Sequence, residues 1–186
     1  MSSLKLETFV TLAFLALVML ATRFHHFGSG VNLPDASLAI FFLLGLFGSW
    51  RWFPVFALLA GVIDYAAITW GGVGDYCITP AYLFLLPTYA VMTAGGYFAR
   101  ADGARRPRQL LFVAALALVS TVVAFVISNG SFYFFSEYFA SLPLADYIGR
   151  TAGYFPPYLG YALLYIAAGV AVAKLVRVVR ASVAAA

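Results

Sequence analysis

Six stretches of the chain are almost purely apolar: residues 6–22, 36–49, 52–70, 80–99, 110–128 and 157–179. None has a sustained amphipathic period, and all but the second approach the ~20 residues needed to cross a bilayer about 30 Å thick. The pattern therefore predicts an all-α membrane protein of six transmembrane helices. The second run is short, so it needs a thinned bilayer, the flanking Trp50 and Trp52, or burial within the bundle. Turn-formers separate the runs: Gly28-Ser29-Gly30 before Pro34, Gly71-Gly72 and Gly74 before Pro80, Asp102-Gly103 before Pro107, and Asn129-Gly130 after the fifth run. Small residues four apart, Ala57 with Gly61, Ala167 with Ala171 and Gly169 with Ala173, would let helices approach closely.

Composition agrees with a lipid environment. Of 186 residues, 64% are hydrophobic and 10% charged, against about 25% charged in soluble domains. Six spans with short connections use nearly the whole of 1–186 as a single transmembrane domain, leaving no room for a soluble catalytic or ATP-binding domain. The phosphate-binding pattern of a Gly-rich loop followed by Lys-Ser/Thr is missing too, so energy from ATP would have to arrive through a partner subunit. The first apolar run has a signal-peptide look from Phe9 to Leu20, but Glu7 beside Lys5 and the lack of a small-x-small cleavage site favour a mature first span.

Lys and Arg outnumber Asp and Glu by 11 to 7. These cations lie in short clusters beside the apolar runs, which orients a membrane protein and gives no nucleic-acid signal. With both termini cytoplasmic, the inner side holds Lys5, Arg51, Arg100, Arg105, Arg106, Arg108, Lys174, Arg177 and Arg180, and the outer side only Arg23 and Arg150. The connections near 23–35, 71–79 and 129–156 then face outward, carrying both histidines, the one cysteine and most acidic and hydroxyl groups.

Candidate chemistry gathers there. Cys77 occupies a Gly-rich approach to the fourth helix and forms no intramolecular disulfide, being alone. A lone cysteine is often just a small buried hydrophobe. Near a helix N-terminus, however, the dipole favours the thiolate, which attacks electrophiles and binds soft metals, while Asp75 works the other way. Asp64 lies about 9 Å inside the third run. A carboxylate at that depth lines a wet ligand cavity or bonds a neighbouring helix, with Tyr65 and Tyr82 as available partners.

Adjacent His25 and His26 point in different directions, so they do not form two ligands of one zinc ion. One of them faces an outer pocket near Cys77, or both anchor the interface with Arg23. Residues 129–158 are dense in rings: Phe132, Tyr133, Phe134, Phe135, Tyr138, Phe139, Tyr147, Tyr154, Phe155 and Tyr158. They read either as an interfacial belt or, interleaved with Ser131, Ser136, Glu137, Ser141 and Asp146, as a lid over a large, flat, amphipathic ligand.

Six spans, inward termini and an outward polar pocket resemble an S-component, the substrate-binding subunit of energy-coupling factor vitamin transporters. The segments His25-His26-Phe27-Gly28, Pro34-Asp35-Ala36-Ser37-Leu38-Ala39, Asp64-Tyr65 and Asp75-Tyr76-Cys77 with Tyr82 resemble the BtuM family of vitamin B12 transporters. The resemblance implies cobalamin (vitamin B12) uptake across a bacterial cytoplasmic membrane. It further implies that Cys77 ligates the corrin-bound cobalt, that His25, Asp64 and Tyr82 line the pocket, and that the thiolate could help remove cyanide from cyanocobalamin once a reductant lowers the cobalt oxidation state. A soft thiolate is a reasonable axial ligand for cobalt. The first helix offers Ala13, Ala16 and Ala21 in place of the Ala-x-x-x-Ala pattern of many S-components, which argues against a shared ATPase module and agrees with a solitary subunit. Two other classes compete: a membrane thiol enzyme acting on a lipid or quinone, with Cys77 as nucleophile and His25 or His26 as base, and a haem-carrying or structural subunit.

Overall fold

A computed structural model describes residues 3–24, 33–100 and 107–184. Its described residues form seven α-helices: α1 Ser3–Arg23, α2 Ser37–Phe47, α3 Phe53–Trp70, α4 Leu85–Ala99, α5 Pro107–Phe135, α6 Leu144–Ala152 and α7 Phe155–Ala184. Short 3-10 turns, Trp50–Trp52 and Pro80–Phe84, lead into α3 and α4. Proline suits the first turn of α3 and of the Pro80–Phe84 segment, because the backbone N–H it lacks has no partner there.

Among the described residues, four helical stretches are long and apolar enough to cross a membrane: Leu6–Arg23, Trp50–Trp70, Gln109–Phe135 and Phe155–Val183. Large apolar side chains stand exposed along them, among them Leu58, Val62, Leu111, Val119, Leu164 and Val179. That surface belongs in lipid.

The remaining two expected spans take a different form. α2 has 11 residues, about 16 Å at 1.5 Å each, and nine of them from Ser37 to Leu46 are buried. Of the three ways to accommodate a short second run, the structure uses burial at the centre of the bundle. The fourth run divides into the 3-10 turn at Pro80–Phe84 and α4.

α2 packs chiefly against α4, and α4 against α5, while α1 and α3 flank α2 on one side and α7 on another. The α2–α4 contact is backbone to backbone. A Cβ built on Gly45 would lie 2.0 Å from the Thr93 carbonyl oxygen, and one on Gly96 only 1.9 Å from that of Phe42. Neither distance is physically available to a side chain, so only glycine permits this spacing.

Of the small-residue pairs read from sequence, Gly169 does pack closely, against Leu43, whereas Gly61 meets nothing within 4 Å. The turn expected at Asn129-Gly130 is a correction, because both residues lie inside α5. Asn129 stays helical by donating from its side-chain amide to the Phe125 carbonyl (3.0 Å), and the rings beyond it pack on later residues. Nearly two further turns follow to Phe135.

The two ends of the bundle differ. At one end the Arg100 guanidinium donates to the Gly48 carbonyl at 2.9 Å, and Arg180 of α7 pairs with Glu7 of α1. The opposite end gathers the C-terminal ends of α1 and α5, the last turns of α3, the start of α2, and Cys77.

Candidate functional site

At the Cys77 end, Arg23 closes α1 and turns inward to full burial, 3% exposed. A guanidinium in an apolar interior is tolerable only if its donors are matched. Asp64, itself 4% exposed on α3, takes two of them in a fork, Nε to Oδ1 at 2.8 Å and Nη2 to Oδ2 at 2.6 Å. Nη1 reaches the Tyr89 hydroxyl at 2.7 Å, Ser37 Oγ at 2.9 Å and Asp35 Oδ2 at 3.3 Å. One cation thus joins α1, α3, α4 and the start of α2.

Second contacts fix these acceptors in place. Ser37 donates both its backbone N–H (2.9 Å) and its hydroxyl (2.6 Å) to Asp35 Oδ1. The Tyr89 ring stacks on Phe41 at 4.2 Å between centroids. The Tyr82 hydroxyl donates to Asp64 Oδ2 at 2.6 Å. Tyr165 of α7 adds a bond from its hydroxyl to the Pro34 carbonyl at 2.9 Å.

Asp64 and Tyr82, both expected at the site, are therefore hydrogen-bonded to one another. Tyr65, the other partner considered for Asp64, faces outward and meets Trp70 edge-on. His25 and His26 lie outside the described residues. Sequence reasoning overlooked the central member, Arg23, which it read only as an outer cation and interface anchor. A usable signal existed: a carboxylate within an apolar run calls for a cation, and Arg23 is the one at the end of the adjoining span.

Cys77 lies half-buried in the loop between α3 and the 3-10 turn at Pro80. A backbone bond from Ile78 N–H to the Asp75 carbonyl (2.7 Å) and one from Thr79 N–H to the Cys77 carbonyl (3.0 Å) fold that loop tightly. Burial pushes the thiol above its ordinary range, and the Asp64 charge pushes in the same direction. The expected dipole effect does not prevail, since the residues after Cys77 form a short 3-10 turn and α4 begins only at Leu85.

Aromatic rings flank the same loop. Tyr76 stacks on Tyr138 at 4.4 Å and packs on Phe132 at 5.6 Å. Phe84 stacks on Phe135 at 4.8 Å. Glu137 adopts a left-handed φ of 65°, a reversal that ends α5 and brings Tyr138 back over the loop. Behind it Phe139, Tyr133 and Tyr147 pack together at 4.8–4.9 Å. The Thr79 and Ser136 hydroxyls are buried without a hydrogen-bond partner among the described residues.

The fold and this site define an all-helical membrane protein with a buried ionic network and an aromatic cluster beside one thiol. Comparison with protein-family models finds none that matches the chain, and none of the curated proteins matches it.

Proposed function

We propose that the protein binds cobalamin at the Cys77 end and carries it across a bacterial cytoplasmic membrane, as its resemblance to the BtuM family implies. In this reading the 80–99 segment and the buried α2 complete six crossings, both termini are cytoplasmic, and the Cys77 end faces outward. The cation distribution along the chain supports that orientation.

The observation that carries the reading is Cys77 itself, half-buried between a satisfied ionic network and a cluster of stacked rings. A corrin presents broad apolar faces, a polar rim and a cobalt already held by four ring nitrogens. It needs from the protein one axial donor, flat aromatic partners and a few polar groups. Cys77, Tyr76 with Tyr138, and the unpartnered Thr79 and Ser136 hydroxyls are groups of those kinds.

Burial and the Asp64 charge push the Cys77 thiol up, which makes it a poor resting nucleophile. A thiol held above its ordinary range is a weak nucleophile until a base removes its proton. Cobalt removes that proton by coordination itself. Tyr82 is tied to the Arg23 network through its bond to Asp64, and its oxygen keeps a lone pair for a donor on the ligand's rim.

The test is the absorption spectrum of cobalamin bound to wild type and to Cys77→Ser. Cobalt–thiolate coordination shifts the corrin bands in wild type, and the hard hydroxyl of serine abolishes the shift while weaker binding by the rings persists. Identical spectra with the vitamin bound to both proteins would remove cobalt ligation. Failure of either protein to bind cobalamin would remove the whole reading.

A further inference from the structure

α6, Leu144–Ala152, differs from every other helix of the described residues. It is too short to cross a membrane, and it alone is strongly amphipathic. At about 100° per residue, its side chains divide into three sectors. Tyr147 and Thr151 face the protein, with Tyr147 only 4% exposed and its hydroxyl bonded to the Asn129 carbonyl of α5 at 2.8 Å. Leu144 and Ile148, followed round the helix by Ala152 and Ala145, form an apolar sector that the described residues leave open, with Leu144 47% and Ile148 57% exposed. Asp146 and Arg150 are also exposed, and they lie about 160° away from the Leu144–Ile148 line.

A short helix lying wholly in water would have no reason to place leucine and isoleucine together on an open face. The chain's path identifies what covers them. The membrane-crossing stretch of α5 ends at Phe135 and that of α7 begins at Phe155. Residues 136–154 therefore join two membrane-crossing stretches on one side of the bilayer, and Tyr147 ties α6 to Asn129 of α5, about 9 Å before that stretch ends. Phe134 and Tyr154, exposed at the two points of departure, are aromatic residues of the kind that mark a membrane–water boundary.

We propose that α6 is an interfacial helix, its Leu144–Ile148 flank seated among lipid acyl chains and its Asp146–Arg150 flank in water. The lipid surface is its partner, so the 136–154 segment is a membrane-anchored strap. One consequence reaches Cys77. Tyr147 packs on Phe139 and Tyr133, and Tyr138 stacks on Tyr76 beside the cysteine. Anchoring α6 in lipid therefore steadies the rings over the loop.

Nitroxide labels test the proposal in protein reconstituted into vesicles of phosphatidylcholine and phosphatidylglycerol. Cys77→Ser removes the native thiol, and Ile148→Cys, Leu144→Cys or Asp146→Cys supplies the labelled one. Labels at 148 and 144 should be several-fold more accessible to oxygen than to a water-soluble nickel chelate, and the label at 146 should show the reverse. Equal chelate access at 148 and 146 would place the helix in water and overturn the proposal. So would spin–spin broadening between labels at 148 on two molecules, which would make a second copy the occupant. Two independent apolar positions keep the test valid if one substitution disturbs folding.

Discussion

α2 is held at its two ends by opposite means. Where it begins, Ser37 joins a network of charges and hydroxyls centred on Arg23. Where it ends, Gly45 lies against the backbone of α4, which presses Gly96 on Phe42 in return. Both regions are largely buried, and each tolerates little change, for different reasons. The glycine contact fails when an atom is added, the ionic contact when one is removed. A buried ion pair adds little net stability compared with an apolar core, because desolvation offsets its attraction. Among the described residues such a network stands at the Cys77 end, where it fixes the mutual positions of α1, α3, α4 and the start of α2.

The largest expected effect comes from unpairing the network. Arg23→Ala leaves Asp64 buried with Tyr82 as its remaining donor, and should cost about 3–5 kcal/mol. Asp64→Ala should cost less, because Arg23 keeps Asp35, Ser37 and Tyr89. The double variant Arg23→Ala with Asp64→Ala should recover part of the loss. Thermal unfolding in detergent at fixed pH measures all three, and strictly additive losses would show that the pair is not coupled.

Next comes the glycine end. Gly96→Ala puts a methyl 1.9 Å from a backbone oxygen, and backbone cannot rotate away as a side chain can. The helices must separate, at a cost of about 3 kcal/mol, the upper part of the usual overpacking range. An unfolding midpoint unchanged from wild type would mean that α2 and α4 are not in backbone contact.

Cys77 sharpens the contrast because it should influence binding and leave stability alone. Burial and the Asp64 charge hold its thiol protonated above the ordinary range, so cobalt coordination must expel a proton. The sign follows directly: ligation strengthens as pH rises towards the thiol's raised pKa, by roughly tenfold per unit, and is lost on acidification. A spectral titration of bound cobalamin between neutral and alkaline pH reads this. Cys77→Ser should remove the pH dependence while unfolding at the wild-type temperature.

The sequence revealed the helices but not how they pair. Apolar length alone gave α1, α3, α5 and α7 close to their observed positions, because lipid imposes a nearly fixed run length. It anticipated burial of α2 as one of three solutions, without the means to choose among them. Asn129-Gly130 misled, since turn propensity is a local preference and the side-chain bond to Phe125, with the ring packing beyond it, outweighs it here. Tyr82 was legible as a partner for Asp64, but Arg23 was not read as one. That α1 lies against α3 is a tertiary fact, which periodicity does not carry. The close approach at Gly45 and Gly96 was missed for a similar reason: each glycine faces the backbone of the other helix, and no spacing within a single helix announces it.

The smallest effect is the most discriminating, because it repeats one substitution in a different setting. Gly61 of α3 is also a helical glycine in an apolar run, and the sequence marked it, rather than Gly45 or Gly96, as a packing residue. In the structure a Cβ there meets nothing within 4 Å. Gly61→Ala therefore adds no clash, and it removes backbone freedom that glycine would otherwise lose on becoming helical, a gain of up to about 1 kcal/mol. The same methyl should thus destabilise at 96 and be neutral or stabilising at 61. Paired unfolding measurements in one detergent decide it: a loss at 61 comparable to that at 96 would mean that another helix or another molecule packs on the Gly61 face.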